Sequence, residues 1–388
     1  MHSNRCNSYY YCTIKYLYKI SGAVLHRLGL YSSRFLELKP EIVYSLGQNE
    51  QFFSQLQYLS LDVITDFNIE NLATLLSVLA KNATKISSLE LEEFYSGYAP
   101  QFFHALFHAI INIIKSQEQL RMFSIIGEEF PKVFHGIISA LESQKNSLQE
   151  IIIERCTYSA EFEVLKRCKN LGTLRIRYCD TELMKLLDYN INTLEVSDCP
   201  LDAQIIALNL EKFGILLQRL KFESVDDEIW EESLLLEALK SFCPNITHLD
   251  ITNIGFSTQF VESIGNLQKL QFLTVRCIID IPEEELKMRV MQFAEILPLT
   301  LQYFELRDAW LDSYVDILLN HCKAPLKQLL IDRLDIEKNS KALIEFCIRN
   351  KALNYVGVDR YLNLKDNFRK EIGAYVTLVP REYIIVNC

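Results

Sequence analysis

Leu148-Gln-Glu-Ile-Ile-Ile-Glu-Arg-Cys156 is the first of three matching phrases, and Leu171-Gly-Thr-Leu-Arg-Ile-Arg-Tyr-Cys179 and Ile191-Asn-Thr-Leu-Glu-Val-Ser-Asp-Cys199 follow it. Each phrase has apolar residues at positions 1, 4 and 6 and a cysteine at position 9. Because successive side chains of a strand point to opposite faces, positions 4 and 6 lie on the same face. A cysteine in the following turn can be buried while its thiol offers a weak hydrogen bond to nearby backbone. The phrases therefore predict short strands with one buried face.

The same apolar spacing recurs about every 27 residues, which is within the range of leucine-rich repeats. The thirteen phrases begin at Leu25, Leu56, Ile86, Leu120, Leu148, Leu171, Ile191, Leu217, Ile246, Leu270, Leu301, Leu326 and Leu353. Between the phrases, apolar residues recur with the spacing of a helix. Examples are Leu72, Leu75, Leu76 and Leu79, and Leu234, Leu235, Ala238, Leu239 and Phe242. Units that stack on their neighbours form a solenoid. The sequence therefore predicts an α/β leucine-rich repeat solenoid, a horseshoe or arc with a parallel concave sheet and convex helices.

The two ends of the chain depart from the repeat. We expect an N-terminal cap or partial repeat helix over 1–22, an array of about 13 units over 23–362, and a C-terminal cap over 363–388. In the last segment, Phe368, Ile372 and Tyr375 have helical spacing, and residues 383–386 read as a closing strand. An end cap hides the last apolar layer of a solenoid from water.

Composition and charge limit the kinds of partner and the cellular compartment that the sequence favours. The formal net charge of −10 argues against a nucleic-acid partner, since binding to phosphates needs a cationic face. No apolar run approaches the roughly 18 to 20 residues that span a bilayer, so we expect no membrane contact. The 11 cysteines are odd in number and include no Cys-x-x-Cys pair. We interpret them as reduced thiols of a cytoplasmic or nuclear protein.

Motifs for catalysis or cofactor binding do not emerge from the sequence. His104 and His108 share one helical face, but their neighbours are apolar, which favours a convex helix over a metal pair. The acidic stretch over 226–232 lacks the ligand spacing and the central glycine of a calcium loop. We also find no nucleophile motif and no phosphate-binding glycine loop. The sequence therefore predicts a protein without catalytic activity, bound metal or cofactor.

The strand positions that point away from the core are the best candidates for a binding site. Positions 3, 5 and 7 of each phrase mix charged with aromatic side chains, a composition typical of protein recognition. The predicted partner-binding residues are Arg175, Arg177, Glu195, Arg219, Lys221, His248, Asp250, Phe272, Arg276, Tyr303 and Arg307. Their cations, with Glu195 among them, fit either an acidic or phosphorylated peptide or a face neutralised by its own carboxylates. Both interpretations stay open.

The cysteine phrases, together with Cys243-Pro-Asn-Ile246, resemble the cysteine-containing leucine-rich repeats of F-box proteins, including large F-box-like families of fungi. That resemblance implies that the repeats hold a substrate while an F-box docks on the Skp1 subunit of a cullin ubiquitin ligase. Leu38-Lys-Pro-Glu-Ile-Val43 is the only approximation to the opening of an F-box. It lies between two strand phrases, without room for three helices. We therefore expect contact with Skp1 and cullin only if an F-box lies upstream.

These observations predict a non-catalytic recognition module, an F-box-like substrate adaptor of an SCF-type ubiquitin ligase that binds a protein on its concave face. The alternative is a free-standing interaction scaffold or inhibitor with no ligase link. A third hypothesis, an enzyme with an unrecognised site, requires a deep pocket with converging ionisable groups on the concave side.

Overall fold

The computed structural model describes residues 24–30, 50–62, 69–94, 100–186, 191–224, 229, 231–307, 311–334, 336–358 and 366–384. The chain forms two compact units, Met1–Leu186 and Leu187–Cys388, and each is described by itself. The helix predicted within 1–22 and the F-box-like residues 38–43 lie outside the described residues. The predicted boundaries of the array and its caps stay predictions.

The first unit contains parallel strands that pair in chain order. They are β1 (Arg27–Leu30), β2 (Tyr58–Asp62), β3 (Ser88–Phe94), β4 (Met122–Gly127), β5 (Glu150–Glu154) and β6 (Thr173–Arg177). The α-helices are α1 (Glu50–Phe53), α2 (Ile69–Asn82) and α3 (Pro100–Ser116). In the shorter repeats, 3-10 helices replace them at Ser139–Gln144, Ala160–Arg167 and Thr181–Leu186.

The second unit continues the same alternation, again with parallel strands in chain order. Its strands are β7 (Thr193–Cys199), β8 (Arg219–Ser224), β9 (His248–Gly255), β10 (Phe272–Ile278), β11 (Tyr303–Leu306), β12 (Gln328–Ile331), β13 (Tyr355–Val358) and β14 (Thr377–Pro380). Its helices are α4 (Ala203–Phe213), α5 (Glu232–Phe242), α6 (Thr258–Asn266), α7 (Glu283–Ile296), α8 (Val315–His321), α9 (Glu337–Arg349) and α10 (Asp366–Gly373). Short 3-10 helices lie at Gly214–Leu216, Asp312–Tyr314 and Arg381–Tyr383.

Strand register follows the phrases directly. Each of the thirteen predicted phrases gives a strand that begins at its third position, and positions 4 and 6 are buried in every one. Leu174 lies beside Ile151 of the neighbouring strand, and Leu220 lies beside Leu249 in the second unit. Helices cover this buried face, as the contact between the rings of Phe293 in α7 and Phe304 in β11 illustrates. The predicted α/β leucine-rich repeat solenoid with a parallel sheet is confirmed.

The cysteine turn has a clear geometry. The residue before each cysteine has a left-handed backbone, with φ of 50° at Arg155, 52° at Tyr178 and 55° at Asp198. This turn brings the thiol of Cys156 to 3.2 Å from the carbonyl oxygen two residues earlier, and Cys179 and Cys199 repeat the contact at 3.1 and 3.2 Å. Burial raises the pKa of the Cys156 thiol well above its ordinary value. The cysteine at position 9 therefore lies in the core directly after the strand, and its thiol contacts a carbonyl oxygen two residues earlier.

Helix α5 differs from its prediction in the face that it buries. Leu235, Ala238 and Leu239 are buried as expected, but Leu234 and Phe242 are exposed and Leu236 is buried instead. The helix begins at Glu232, and its buried stripe includes Leu236 in place of Leu234 and Phe242. No helix within the described ranges is long and apolar enough to cross a lipid bilayer.

The last segment also differs from its prediction. Helix α10 contains Phe368 and Ile372 as expected, but it ends at Gly373, before Tyr375. The strand predicted over 383–386 is wrong at its start, because Tyr383 lies in a 3-10 helix. The strand is β14 instead, and it begins two residues after Tyr375, as in the other phrases. An exposed tyrosine at the first position hid this fourteenth phrase from the apolar pattern.

Candidate functional site

The candidate site is the sheet face opposite the core, which we call the open face and define by phrase positions 3, 5 and 7. In-register pairing arranges these positions into rows that cross the strands. Row 3 of β8 to β13 contains Arg219, His248, Phe272, Tyr303, Gln328 and Tyr355. Row 5 contains Lys221, Asp250, Thr274, Glu305, Leu330 and Gly357. Row 7 contains Glu223, Thr252, Arg276, Arg307 and Asp332.

Row 3 forms an aromatic platform. The imidazole of His248 stacks on the ring of Phe272 with centroids 4.1 Å apart and planes 7° from parallel. The ring of Tyr303 follows at 5.8 Å from that of Phe272. Burial, assisted by the nearby Arg219 charge, lowers the pKa of His248 to about 4. The platform is therefore uncharged at neutral pH and can pack against a flat or apolar group.

Row 5 carries two buried carboxylates with different environments. Asp250 is 6% exposed, and its Oδ2 lies 3.4 Å from Arg307 Nη2 and 3.9 Å from Lys221 Nζ. Burial raises the pKa of Asp250 to about 6, although both cations pull it down. Glu305 is 7% exposed, and its Oε2 accepts hydrogen bonds from the hydroxyls of Tyr303 at 2.7 Å and Thr274 at 3.0 Å. Burial alone would raise the pKa of Glu305, but Arg307, Tyr303 and Arg381 together hold it below its ordinary value.

Some buried oxygens on the open face of the second unit have no hydrogen-bond donor among the described residues. Within the part of the chain that the structure describes, no donor reaches Asp250 Oδ1, Thr252 Oγ1 or Ser197 Oγ. Leaving a buried acceptor unsatisfied costs about 1 to 3 kcal/mol, so such groups are rare in folded proteins. Asp250 and Thr252 lie on the same strand, two residues apart and on the same side. These two oxygens therefore leave hydrogen-bonding capacity unused beneath the surface of β9, among the residues that the structure describes.

A second charged cluster joins three distant parts of the chain. Arg381 Nε lies 3.1 Å from Glu305 Oε1, and its Nη1 lies 3.1 Å from Asp332 Oδ1. None of these three residues is among the predicted partner-binding residues. Glu305 and Asp332 could be found from their phrase positions, but Arg381 follows the last strand and has no local signal.

The open face of the first unit is different in composition. Arg175 Nε lies 2.9 Å from Glu150 Oε1, so this cation has a carboxylate partner on the neighbouring strand. Glu90 accepts a hydrogen bond from the hydroxyl of Tyr58 at 2.6 Å. Half-buried apolar side chains occupy the centre of this face, namely Met122, Ile126 and Ile152.

The structure places two of the predicted partner-binding residues, Arg175 and Arg177, on β6 of the first unit, and the other nine in the second unit. It brings His248, Phe272 and Tyr303 into one row and joins Lys221, Asp250 and Arg307 in one ionic cluster. Lys221 also lies 2.9 Å from Glu223. Glu195 and Tyr303 are buried, and Arg276 is exposed. Binding of an acidic or phosphorylated peptide by the cations stays a prediction.

Other candidate chemistry falls outside the open face. The rings of His104 and His108 lie 6.3 Å apart, and no cluster of three metal-ligating side chains occurs among the described residues. A cavity of about 380 Å³ contains Glu232 and Arg289 in its lining. Both side chains serve the backbone there, since Glu232 accepts from the Gly255 amide at 2.7 Å and Arg289 donates to the Phe256 carbonyl at 2.7 Å.

No protein-family model matches the chain, and no curated protein matches it either. Similar solved structures include one from the Rad7 and Elc1 complex of yeast, with 12% identity, a TM-score of 0.48, and coverage of 88% of this chain and 87% of the other. The leucine-rich repeat-containing protein LegL7 of Legionella pneumophila has 11% identity and a TM-score of 0.42 over 77% of this chain and 99% of its own. An internalin of Listeria monocytogenes has 13% identity and a TM-score of 0.33 over 73% and 68%. The solenoid assignment depends on the strand register described above.

Proposed function

We propose that the chain is a protein-recognition module that binds its partner through the open face of the second unit. The observation that carries this proposal is the stacked pair of His248 and Phe272, whose rings lie 4.1 Å apart and are both partly exposed on that face. Rigid aromatic area of this kind is typical of binding hot spots. The partly exposed cations Lys221 and Arg307 lie on the same face.

The finer form of this proposal is a substrate adaptor of an SCF-type ubiquitin ligase. The buried cysteine turns at Cys156, Cys179 and Cys199 support it through the resemblance to F-box proteins. The free-standing scaffold or inhibitor is the second candidate, because only residues 31–49 separate β1 from α1, and an F-box needs roughly twice that length. Co-purification of Skp1 and cullin with the full chain favours the adaptor. Capture of a partner protein without them favours the scaffold.

A matched pair of variants tests the recognition face. His248→Ala shortens the aromatic platform, while His321→Ala removes a histidine from α8 at a similar, partly exposed position away from the strands. Both chains are compared by circular dichroism and by quantitative affinity purification with the wild type. We expect His248→Ala to reduce recovery of the partner at least tenfold, since truncating a hot spot costs about 2 kcal/mol or more. Equal recovery with both folded variants would refute binding through this face.

A further inference from the structure

Residues 381–384, which follow β14, lie against the open face. Arg381–Tyr383 forms a 3-10 turn that contacts β13. The guanidinium of Arg381 then reaches Asp332 after β12 and Glu305 on β11, with its Nη1 and Nε both 3.1 Å from the carboxylate oxygens. The charged groups are well shielded, since the side chain of Arg381 is 21% exposed. Shielded ion pairs of this forked geometry are among the stronger polar contacts in proteins.

The second part of the contact between residues 381–384 and the open face depends on Gly357, which has no side chain. At Gly357, which holds row position 5 of β13, a Cβ would lie 3.0 Å from Leu330 Cγ and 3.1 Å from Ile384 Cδ1. It would also lie 3.4 Å from Arg381 Cα. Glycine at this position therefore leaves the space that Ile384 and the backbone of Arg381 occupy. A carboxylate pair and an apolar gap together form a seat for two side chains that are three residues apart.

The segment that fills the seat is held by few of its side chains. Glu382 and Tyr383 are exposed, the latter by 74%, and Ile384 is only half-buried. The segment therefore differs from strands β7 to β13, whose phrase positions 4 and 6 are buried. The side chains of Arg381 and Ile384 hold the turn in place, and both lie against residues of the open face.

We propose that Glu305, Asp332, Leu330 and Gly357 form a docking seat for a partner segment that carries arginine followed three residues later by an aliphatic residue. Residues Arg381 to Ile384 are its intramolecular occupant and compete with the partner. Arginine fits better than lysine because its planar fork can contact both carboxylates at once. The inference rests on the proposed function, since it names the chemistry of a partner for the open face.

The test uses the full chain and a fluorescent peptide with the sequence of residues 378–384. In the released variant, Arg381→Ala and Ile384→Ser remove both anchors. The matched control changes the two exposed residues of the same turn, Glu382→Ala and Tyr383→Ser. We expect fluorescence anisotropy to show at least tenfold tighter peptide binding to the released variant than to the wild type or the control. An Arg381→Ala peptide, or Asp332→Asn in the released variant, should lower this binding at least tenfold.

Several results would overturn the inference. Equal peptide binding to the released variant and the control would show that the seat is not a docking site. Equal binding of the Arg381→Ala peptide would show that the carboxylates do not select arginine. If the released variant unfolded and the control did not, the segment would be a structural part of the fold rather than an occupant that a partner can displace. None of these results affects partner capture that depends on His248, so the failure of this inference and the failure of the proposed function can be told apart.

Discussion

Replacing Asp250 with asparagine should stabilise the protein at neutral pH, and the size of the effect follows from the burial of the carboxylate. Burial raises the pKa of Asp250 from 3.8 to about 6. A difference of one pH unit between the folded and unfolded pKa corresponds to 1.36 kcal/mol, so the folded state prefers the neutral carboxyl by about 3 kcal/mol. Asparagine has nearly the same shape as the neutral carboxyl and never carries the charge.

The sign of the pH dependence follows from proton binding. Between pH 4 and 6 the folded state holds a proton that the unfolded chain has already lost. Stability of the wild type therefore falls as pH rises through this interval, relative to a chain that is neutral at residue 250. We expect Asp250→Asn and the wild type to be about equally stable at pH 4. At pH 8 the variant should be more stable by up to about 3 kcal/mol.

Urea unfolding followed by circular dichroism at intervals from pH 4 to 8 measures this difference, and subtraction of the two curves cancels the other titrating groups. Glu305→Gln is the matched control from the same row. The pKa of Glu305 is lowered, so its charged form stabilises the fold above the ordinary pKa, and that contribution is lost as pH falls through the lowered value. Glu305→Gln should therefore destabilise the protein at pH 8. An Asp250→Asn variant that is less stable than the wild type at pH 8, or a difference independent of pH, would refute the reasoning.

Three further measurements test the core and the platform. Leu174→Ala should lower the free energy of unfolding by about 2 to 5 kcal/mol, whereas Leu299→Ala, at a side chain 70% exposed, should change it by less than about 0.5; a cost below about 1 kcal/mol at Leu174 would place it outside the core. Gly127→Ala would put a Cβ 2.4 Å from a backbone carbonyl oxygen and should cost about 1 to 3 kcal/mol, while Gly373→Ala meets nothing within 4 Å and should be nearly neutral in the same denaturation assay. The NMR titration of His248 should give a pKa of about 4. The stability that the fold gains from the neutral imidazole is then fully present above pH 6.5 and is lost as pH falls toward 4. A measured pKa near 6.5 would contradict the buried stacking of His248.

The sequence predicted the strands well because one physical requirement repeats along the chain. Positions 4 and 6 of each phrase must be apolar to fill a core that every repeat shares with its neighbours. That requirement located thirteen strands and their register. It failed at β14, where Tyr375 takes the place of the usual leucine and only Val376 beside it is buried. It also misplaced the buried stripe of α5, because the six apolar residues in that helix fit more than one face.

The open face was predicted as a set of residues but not as a set of contacts. Alternation identifies Asp250 and Glu305 as outward-facing, yet both are buried. The partners of Glu305 come from its own strand, from β10, and from Arg381. Sequence spacing does not predict a contact between residues 76 positions apart. The hydrogen-bond network of Glu305 therefore becomes visible only in the folded structure.

The two carboxylates of row 5 indicate what sets the charge of this face. Asp250 and Glu305 have similar exposed fractions and both lie near Arg307, yet the pKa of one is raised and that of the other is lowered. Their hydrogen-bond donors differ. Glu305 receives hydroxyl and guanidinium donors on both oxygens, while one oxygen of Asp250 receives none among the described residues. The donors at Glu305 therefore outweigh its burial, whereas burial prevails over the two cations at Asp250.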